Sequence, residues 1–189
     1  NAISTNDPLG APSPSSDYWG GVVYAENSEF SNNWRCIEFM SYPFFEQKSQ
    51  FKNCTFERNP EFTYPSGTNI PALVSIWHTE GIQFEECQFL NHQNGIGLII
   101  FDGNAIVSAG NIFENNGIAI SSQSTFPFGS DLEIGKDGST TNLFIDNRFG
   151  VRSNATDKFE GLLIINNEFI TTDSFNLIQT SIDLAGPSR

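Results

Sequence analysis

Large apolar residues in this chain recur in a short alternation rather than at helical spacing. Ile82-Gln83-Phe84 and Cys87-Gln88-Phe89 each place their first and third residues on one face, which is the period of a strand. The step from Phe84 to Cys87 breaks that alternation and predicts a bend at Glu85-Glu86. Equivalent bends are expected at Lys52-Asn53, Ile145-Asp146 and Ile165-Asn166, since Asn and Asp tolerate left-handed backbone angles. A third strand is predicted after an Asn- or Gly-containing turn. It is clearest in Asn94-Gly95-Ile96-Gly97-Leu98 and Asn116-Gly117-Ile118-Ala119-Ile120, and residues 33–39 and 73–76 fill the same place.

The pattern repeats. Its anchor is a Phe two residues after a small or amide-bearing residue, as in Ser28-Glu29-Phe30, Cys54-Thr55-Phe56, Cys87-Gln88-Phe89, Asn111-Ile112-Phe113, Asn147-Arg148-Phe149 and Asn167-Glu168-Phe169. The anchors lie 26, 33, 24, 36 and 20 residues apart, so the unit tolerates insertions. A repeat of three short strands and three corners predicts an all-β fold: a right-handed single-stranded parallel β-helix of about six rungs. Residues one rung apart then stack about 4.8 Å from one another, like upon like. The Phe column is the expected core. Beside it, Ser28, Cys54, Cys87, Asn111, Asn147 and Asn167 form a column of small and polar groups. Cys54 and Cys87 become vertical neighbours, either as a disulfide or as two buried thiols. Cys36 falls on the third strand and is expected to be unpaired. The division expected is a flexible segment or linker over 1–16, the β-helix over 17–182 and a tail over 183–189.

Composition agrees with this reading. Charged residues make up only 16% of the 189, and the residues that long helices need are scarce. Eighteen Phe and 16 Gly point to strands and turns. The net charge of −13 argues against nucleic acid or anionic lipid as a partner, and no apolar run is long enough to span a bilayer. Low Lys, abundant Asn and Ser, and acidity together point to a secreted or cell-surface protein.

The rungs resemble those of the pectin-lyase-like right-handed β-helix superfamily, in particular its secreted and cell-surface bacterial members. Residues 17–23 look like the opening strand of that group. Phe30-Ser31-Asn32-Asn33, Phe56-Glu57-Arg58-Asn59 and Phe113-Glu114-Asn115-Asn116 are similar to the Phe-x-x-Asn repeats of autotransporter-type passengers. The resemblance implies a fold more than an activity. Lyases of that fold carry an Arg or Lys base beside acidic calcium ligands, and its pectin hydrolases carry three clustered Asp with His and Arg nearby. Neither cluster is visible here: the chain has no Asp-Asp pair, no His-Gly pair, and its nine bases are scattered.

Loops over 40–48, 77–81, 101–105 and 121–141 are expected to follow the third strand and crowd one side of the solenoid, with a separate excursion over 59–72. The crowded side carries the candidate ligand-binding residues Tyr42, Phe44, Trp77, His78, Asp102 and Phe126, whose aromatic rings can stack on sugar or cover the barrel. His78 with Asp102 is the one acid–base combination to test. No cofactor is implied. Calcium is the one ion that the acidity leaves room for, with Asp131, Glu133 and Asp137 as a weak candidate set. The expected role is a non-catalytic extracellular scaffold or adhesin module presenting loops to protein or glycan, as part of a larger surface protein or assembly. The alternatives are a polysaccharide lyase or glycoside hydrolase, and a filament subunit. No capping helix is evident over 1–16, so other domains or subunits are expected to pack on the ends of the β-helix.

Overall fold

The computed structural model describes residues 3–4, 22–33, 35–40, 48–59, 72–77, 79, 81–124, 131–155, 161–172 and 180–185. All their regular structure is strand, in three parallel sheets that the chain visits in turn. Sheet 1 contains β2 (Tyr24–Glu26), β5 (Gln50–Lys52), β8 (Ile82–Glu85), β11 (Ala105–Val107), β14 (Asp131–Ile134) and β17 (Gly161–Ile164). Sheet 2 contains β3 (Glu29–Ser31), β6 (Thr55–Glu57), β9 (Gln88–Leu90), β12 (Ile112–Glu114), β15 (Asn142–Ile145) and β18 (Asn167–Ile170). Sheet 3 contains β1 (Ile3–Ser4), β4 (Ile37–Met40), β7 (Ala72–Trp77), β10 (Ile96–Phe101), β13 (Ile118–Ser124), β16 (Phe149–Ala155) and β19 (Thr180–Ala185). The order in each sheet follows the chain, one strand per rung. This is a parallel β-helix of about six rungs. Ile3–Ser4 pair with β4, and the last strand ends at Ala185, so the sheets reach beyond the 17–182 boundaries expected from sequence.

The interior is a ladder of rings. Phe30, Phe56, Phe89, Phe113, Phe144 and Phe169 occupy one column of sheet 2. Phe89 and Phe113 stack at 4.4 Å with planes 4° apart, and Phe113 and Phe144 at 5.0 Å and 4°. From sheet 1, Phe51 and Phe84 enter edge-on, Phe84 meeting Phe89 at 5.5 Å and 69°. Each fully buried ring contributes about 1.5–3 kcal/mol over its exposed state. The close approach leaves no room on the facing strand, where a Cβ on Gly150 would lie 2.6 Å from Phe169 Cε1.

The fifth rung corrects the register expected from sequence. The ring in the column is Phe144, with Asn142 as its small partner, and not Phe149 with Asn147. Phe149 opens β16 in sheet 3. The anchor spacings are therefore 26, 33, 24, 31 and 25. The inner column of sheet 1 runs Ala25, Phe51, Phe84, Val107, Ile134 and Ile164, without Phe144. The bend at Ile145-Asp146 belongs to the second corner rather than the first. Residues 121–141 are not one loop: β13 continues to Ser124, β14 pairs in sheet 1, and 135–141 form an insertion at the first corner.

The corners are built as their residue types require. Among the described residues, every non-glycine residue with positive φ is Asn or Asp except Glu86, and Asn27, Asn53, Glu86 and Asn166 recur at the first corner. The N–H groups of Asn27, Asn53 and Glu86 bond to the rung above, as in Asn53 N to Glu85 O (2.9 Å) and Glu86 N to Ala109 O (2.8 Å). Inside the corners run two amide ladders. In the first, Asn111 Nδ2 donates to Asn142 Oδ1 and Asn142 Nδ2 to Asn167 Oδ1, each at 3.0 Å. In the second, Asn116 Nδ2 donates to Asn147 Oδ1 at 3.0 Å and to Phe89 O at 2.9 Å. These bonds offset the cost of burying the amides. His92 replaces Asn in the second ladder, and its Nδ1 lies 3.1 Å from the Arg58 guanidinium, which can only donate.

The three cysteines are buried free thiols. Cys87 Sγ donates to Glu85 O at 3.3 Å and Cys54 Sγ to Lys52 O at 3.3 Å, so both extend the first ladder downward in place of Asn. Cys36 precedes β4 and donates to Phe30 O at 3.1 Å. Burial pushes the thiols of Cys36 and Cys87 up to about 12.

Candidate functional site

The outer face of sheet 3 is the surface where the described candidates meet. Its strands alternate: Val74, Ile76, Leu98 and Ile100 point into the barrel, and Ser75, Trp77, Ile99 and Phe101 point away. Trp77 and Phe101 hold the same position on adjacent strands and stack at 4.5 Å with planes 21° apart. Trp77 Nε1 donates to Ser75 Oγ at 2.6 Å, which fixes the indole over its own strand. Both rings remain half-exposed. The next outward position, by contrast, is closed: Ser75, Ile99 and Ser121 are each 1% exposed. Ala72, Ile96 and Ile99 form an apolar cluster, joined by Ile118, separate from the interior one.

Further along the face the chemistry becomes cationic and paired. The Arg152 guanidinium stands 4.1 Å from the Phe149 ring centroid, and its Nε donates to Asp183 at 2.8 Å on the next strand. Arg35 pairs with Glu38 on the same sheet. On sheet 1, Lys52 pairs with Glu85 at 2.8 Å, an exposed contact between rungs that contributes little to stability. The hydrogen bond that the Lys52 ammonium donates to Glu85 raises its pKa above the ordinary value.

Of the residues expected from sequence, Trp77 belongs to this surface. Asp102 directly follows Phe101 at the third corner, with φ of 47°, 6% exposure and its N–H donating to Gln123 O at 2.9 Å. It is thus a buried corner residue next to the aromatic pair. Tyr42, Phe44, His78 and Phe126 lie outside the described residues, as does most of the 59–72 excursion, so the His78–Asp102 pairing is not placed. Phe101 and Arg152 were not singled out from sequence, and Phe149 was expected in the core column rather than on this face. Aligning Ile96–Phe101 with Ala72–Trp77 as successive third strands would have put Phe101 on Trp77. Among the described residues, no group of three or more His, Cys, Asp or Glu side chains converges as a metal site. No helix among them is long and apolar enough to cross a membrane.

Such a surface can hold a planar or weakly polar face by stacking, with half-buried Gln123 and Arg152 on neighbouring strands. The architecture places the chain among parallel β-helix proteins. Comparison with family models, with curated proteins and with solved structures gives no match.

Proposed function

We propose that the chain is a stiff, non-catalytic scaffold or adhesin module of the pectin-lyase-like kind, secreted or held at the cell surface. It presents the outer face of sheet 3 and the adjoining loops to a protein or a glycan. The observation that carries this reading is the Trp77–Phe101 stack, two half-exposed rings aligned on adjacent rungs of a rigid sheet. An apolar pair on an acidic surface suits a neutral sugar face or a protein side chain better than a polyanion. The described ion pairs support the non-catalytic part, because Lys52–Glu85 and Arg152–Asp183 tie one rung to the next.

The test is a binding screen of the whole chain against neutral and acidic oligosaccharides and extracellular matrix proteins, in parallel with turnover assays on pectin and alginate. Binding weakened about tenfold or more by Trp77→Ala or Phe101→Ala is the expected result. Turnover abolished by Asp102→Asn would replace this reading with the polysaccharide lyase or hydrolase alternative.

A further inference from the structure

Sheet 2 changes character along its outer face. Its inward column is Phe on every rung, but its two outward columns divide midway. On β3, β6 and the start of β9 they carry Glu29, Ser31, Thr55, Glu57 and Gln88. From Leu90 onward they carry Ile112, Leu143, Ile145 and Ile170, with Glu114 and Glu168 set among them. Register places Ile112 beside Leu143 and Ile145 beside Ile170, while Glu114 lies between Leu90 and Ile145. All five aliphatic side chains are partly exposed. The fold does not demand them, because β3 and β6 pair in the same sheet with polar residues at the same positions. Among the described residues, no Lys or Arg stands at an outward position of this sheet, and the carboxylates of Glu114 and Glu168 have no ion-pair partner.

We propose that this patch docks a basic segment of another protein, one that presents a row of aliphatic side chains flanked by Lys or Arg. Charge decides the occupant. A second copy would set its own Glu114 and Glu168 against the same face, and each copy carries a net charge of −13. A cationic partner instead pairs those carboxylates while its aliphatic side chains meet Leu143 and Ile145. An extended segment fits the spacing, since alternate residues of a strand repeat at about 6.6 Å, as Leu143 and Ile145 do.

Size sets the strength of the contact. The patch spans three rung steps of about 4.8 Å by one such repeat. This is far less than the area of about 800 Å² per partner that a stable complex buries, so the contact is weak and salt-dependent. It lies on a different sheet from the Trp77–Phe101 pair and does not rest on the role given to that pair.

Fluorescence anisotropy with the whole chain and two short labelled peptides, one alternating Ile with Lys and one alternating Ser with Lys, tests this. The Ile–Lys peptide is expected to bind at low salt, about tenfold more tightly than the Ser–Lys peptide, and to weaken as salt rises. Leu143→Thr with Ile145→Thr keeps strand-compatible residues and should weaken the Ile–Lys peptide by about three- to tenfold. Glu114→Gln with Glu168→Gln should weaken it by about two- to fivefold. Glu26→Gln with Glu29→Gln removes the same charge from the other end of the molecule and should leave binding unchanged. Equal weakening by the two Glu→Gln pairs would overturn the proposal, because general attraction rather than the patch would then govern binding. So would equal affinity for the two peptides, or no binding of the Ile–Lys peptide at low salt. Binding to phosphatidylcholine vesicles that the Thr variant loses would also overturn it, since the patch would then serve a lipid surface.

Discussion

The His92 imidazole fills the space that a side chain at position 95 would need: a Cβ on Gly95 would lie 2.0 Å from Nε2. His92 is fully buried, its backbone N–H donates to Asn116 Oδ1 (3.2 Å) and its ring Nδ1 lies 3.1 Å from the Arg58 guanidinium, so moving the ring aside costs that contact. The Gly95 N–H also closes the turn onto His92 O at 2.9 Å. Gly95→Ala should thus destabilise by about 1–3 kcal/mol through overpacking. In a His92→Asn background, where the ladder regains its usual amide, much of that cost should vanish. A double-mutant cycle measured by urea unfolding reads the coupling directly, and additive effects would show that the ring and the turn do not compete for this space.

Phe89 stands at the centre of the ring ladder, stacked between Phe56 and Phe113 and met edge-on by Phe84. Phe89→Ala should cost about 3–5 kcal/mol in chemical denaturation, since rigid sheets on every side limit collapse into the cavity. Phe30→Ala, at the half-buried end of the same column, should cost distinctly less.

Most of a rung was legible because its constraints are local. The bends at Lys52-Asn53, Glu85-Glu86 and Ile165-Asn166 follow from a broken alternation and from residues suited to positive φ, and Asn53, Glu86 and Asn166 adopt it. Rung five was misread because Asn142-Leu143-Phe144 and Asn147-Arg148-Phe149 satisfy the same anchor, one at each of two successive corners. Both corners bury an Asn for the same reason, so an amide before a Phe does not say which corner it serves. The pairing of Phe144 with Asn147 as Phe-x-x-Asn, as in Phe113 and Asn116, is the signal that separates them. In the first rung Ala25 points inward and Tyr24 outward, since a small residue suffices at the end of the column. The outer surface was less legible still. Outward positions carry no common packing demand, so Phe101 becomes visible only once register sets it against Trp77.

The second amide ladder should be intolerant of a carboxylate. Asn116 Nδ2 donates both to Phe89 O and to Asn147 Oδ1, while its Oδ1 accepts from His92 N. Asn116→Asp keeps the shape and the acceptor but turns both donations into oxygen–oxygen repulsions within a buried corner. At neutral pH the loss should be about 3 kcal/mol or more. Acid should narrow the gap between variant and wild type, because a protonated carboxyl regains one donor. Thermal melts of both proteins at neutral and mildly acidic pH would show this, and a gap that widens in acid would contradict it.

The buried thiols set a limit at alkaline pH. Desolvation raises Cys36 and Cys87 from 9.0 to about 12, so the folded state favours the neutral thiol. A group with a raised folded value stabilises fully below its unfolded value and loses that contribution as pH climbs through the folded one. Each thiol should therefore hold its contribution below about pH 9, then lose about 1.4 kcal/mol per pH unit up to about pH 12. Lys and Tyr also titrate in this window, so the informative quantity is a difference between proteins. Cys87→Ala is expected to lower stability at pH 8 through the cavity it leaves. Its stability should then fall less steeply than that of the wild type between pH 9 and pH 11. Unfolding followed by fluorescence across that range, with a thiol reagent that labels only the unfolded chain, supplies both readings. Parallel pH slopes for the two proteins, or rapid labelling of Cys87 in the native state, would show that the thiol is solvated and not part of the ladder.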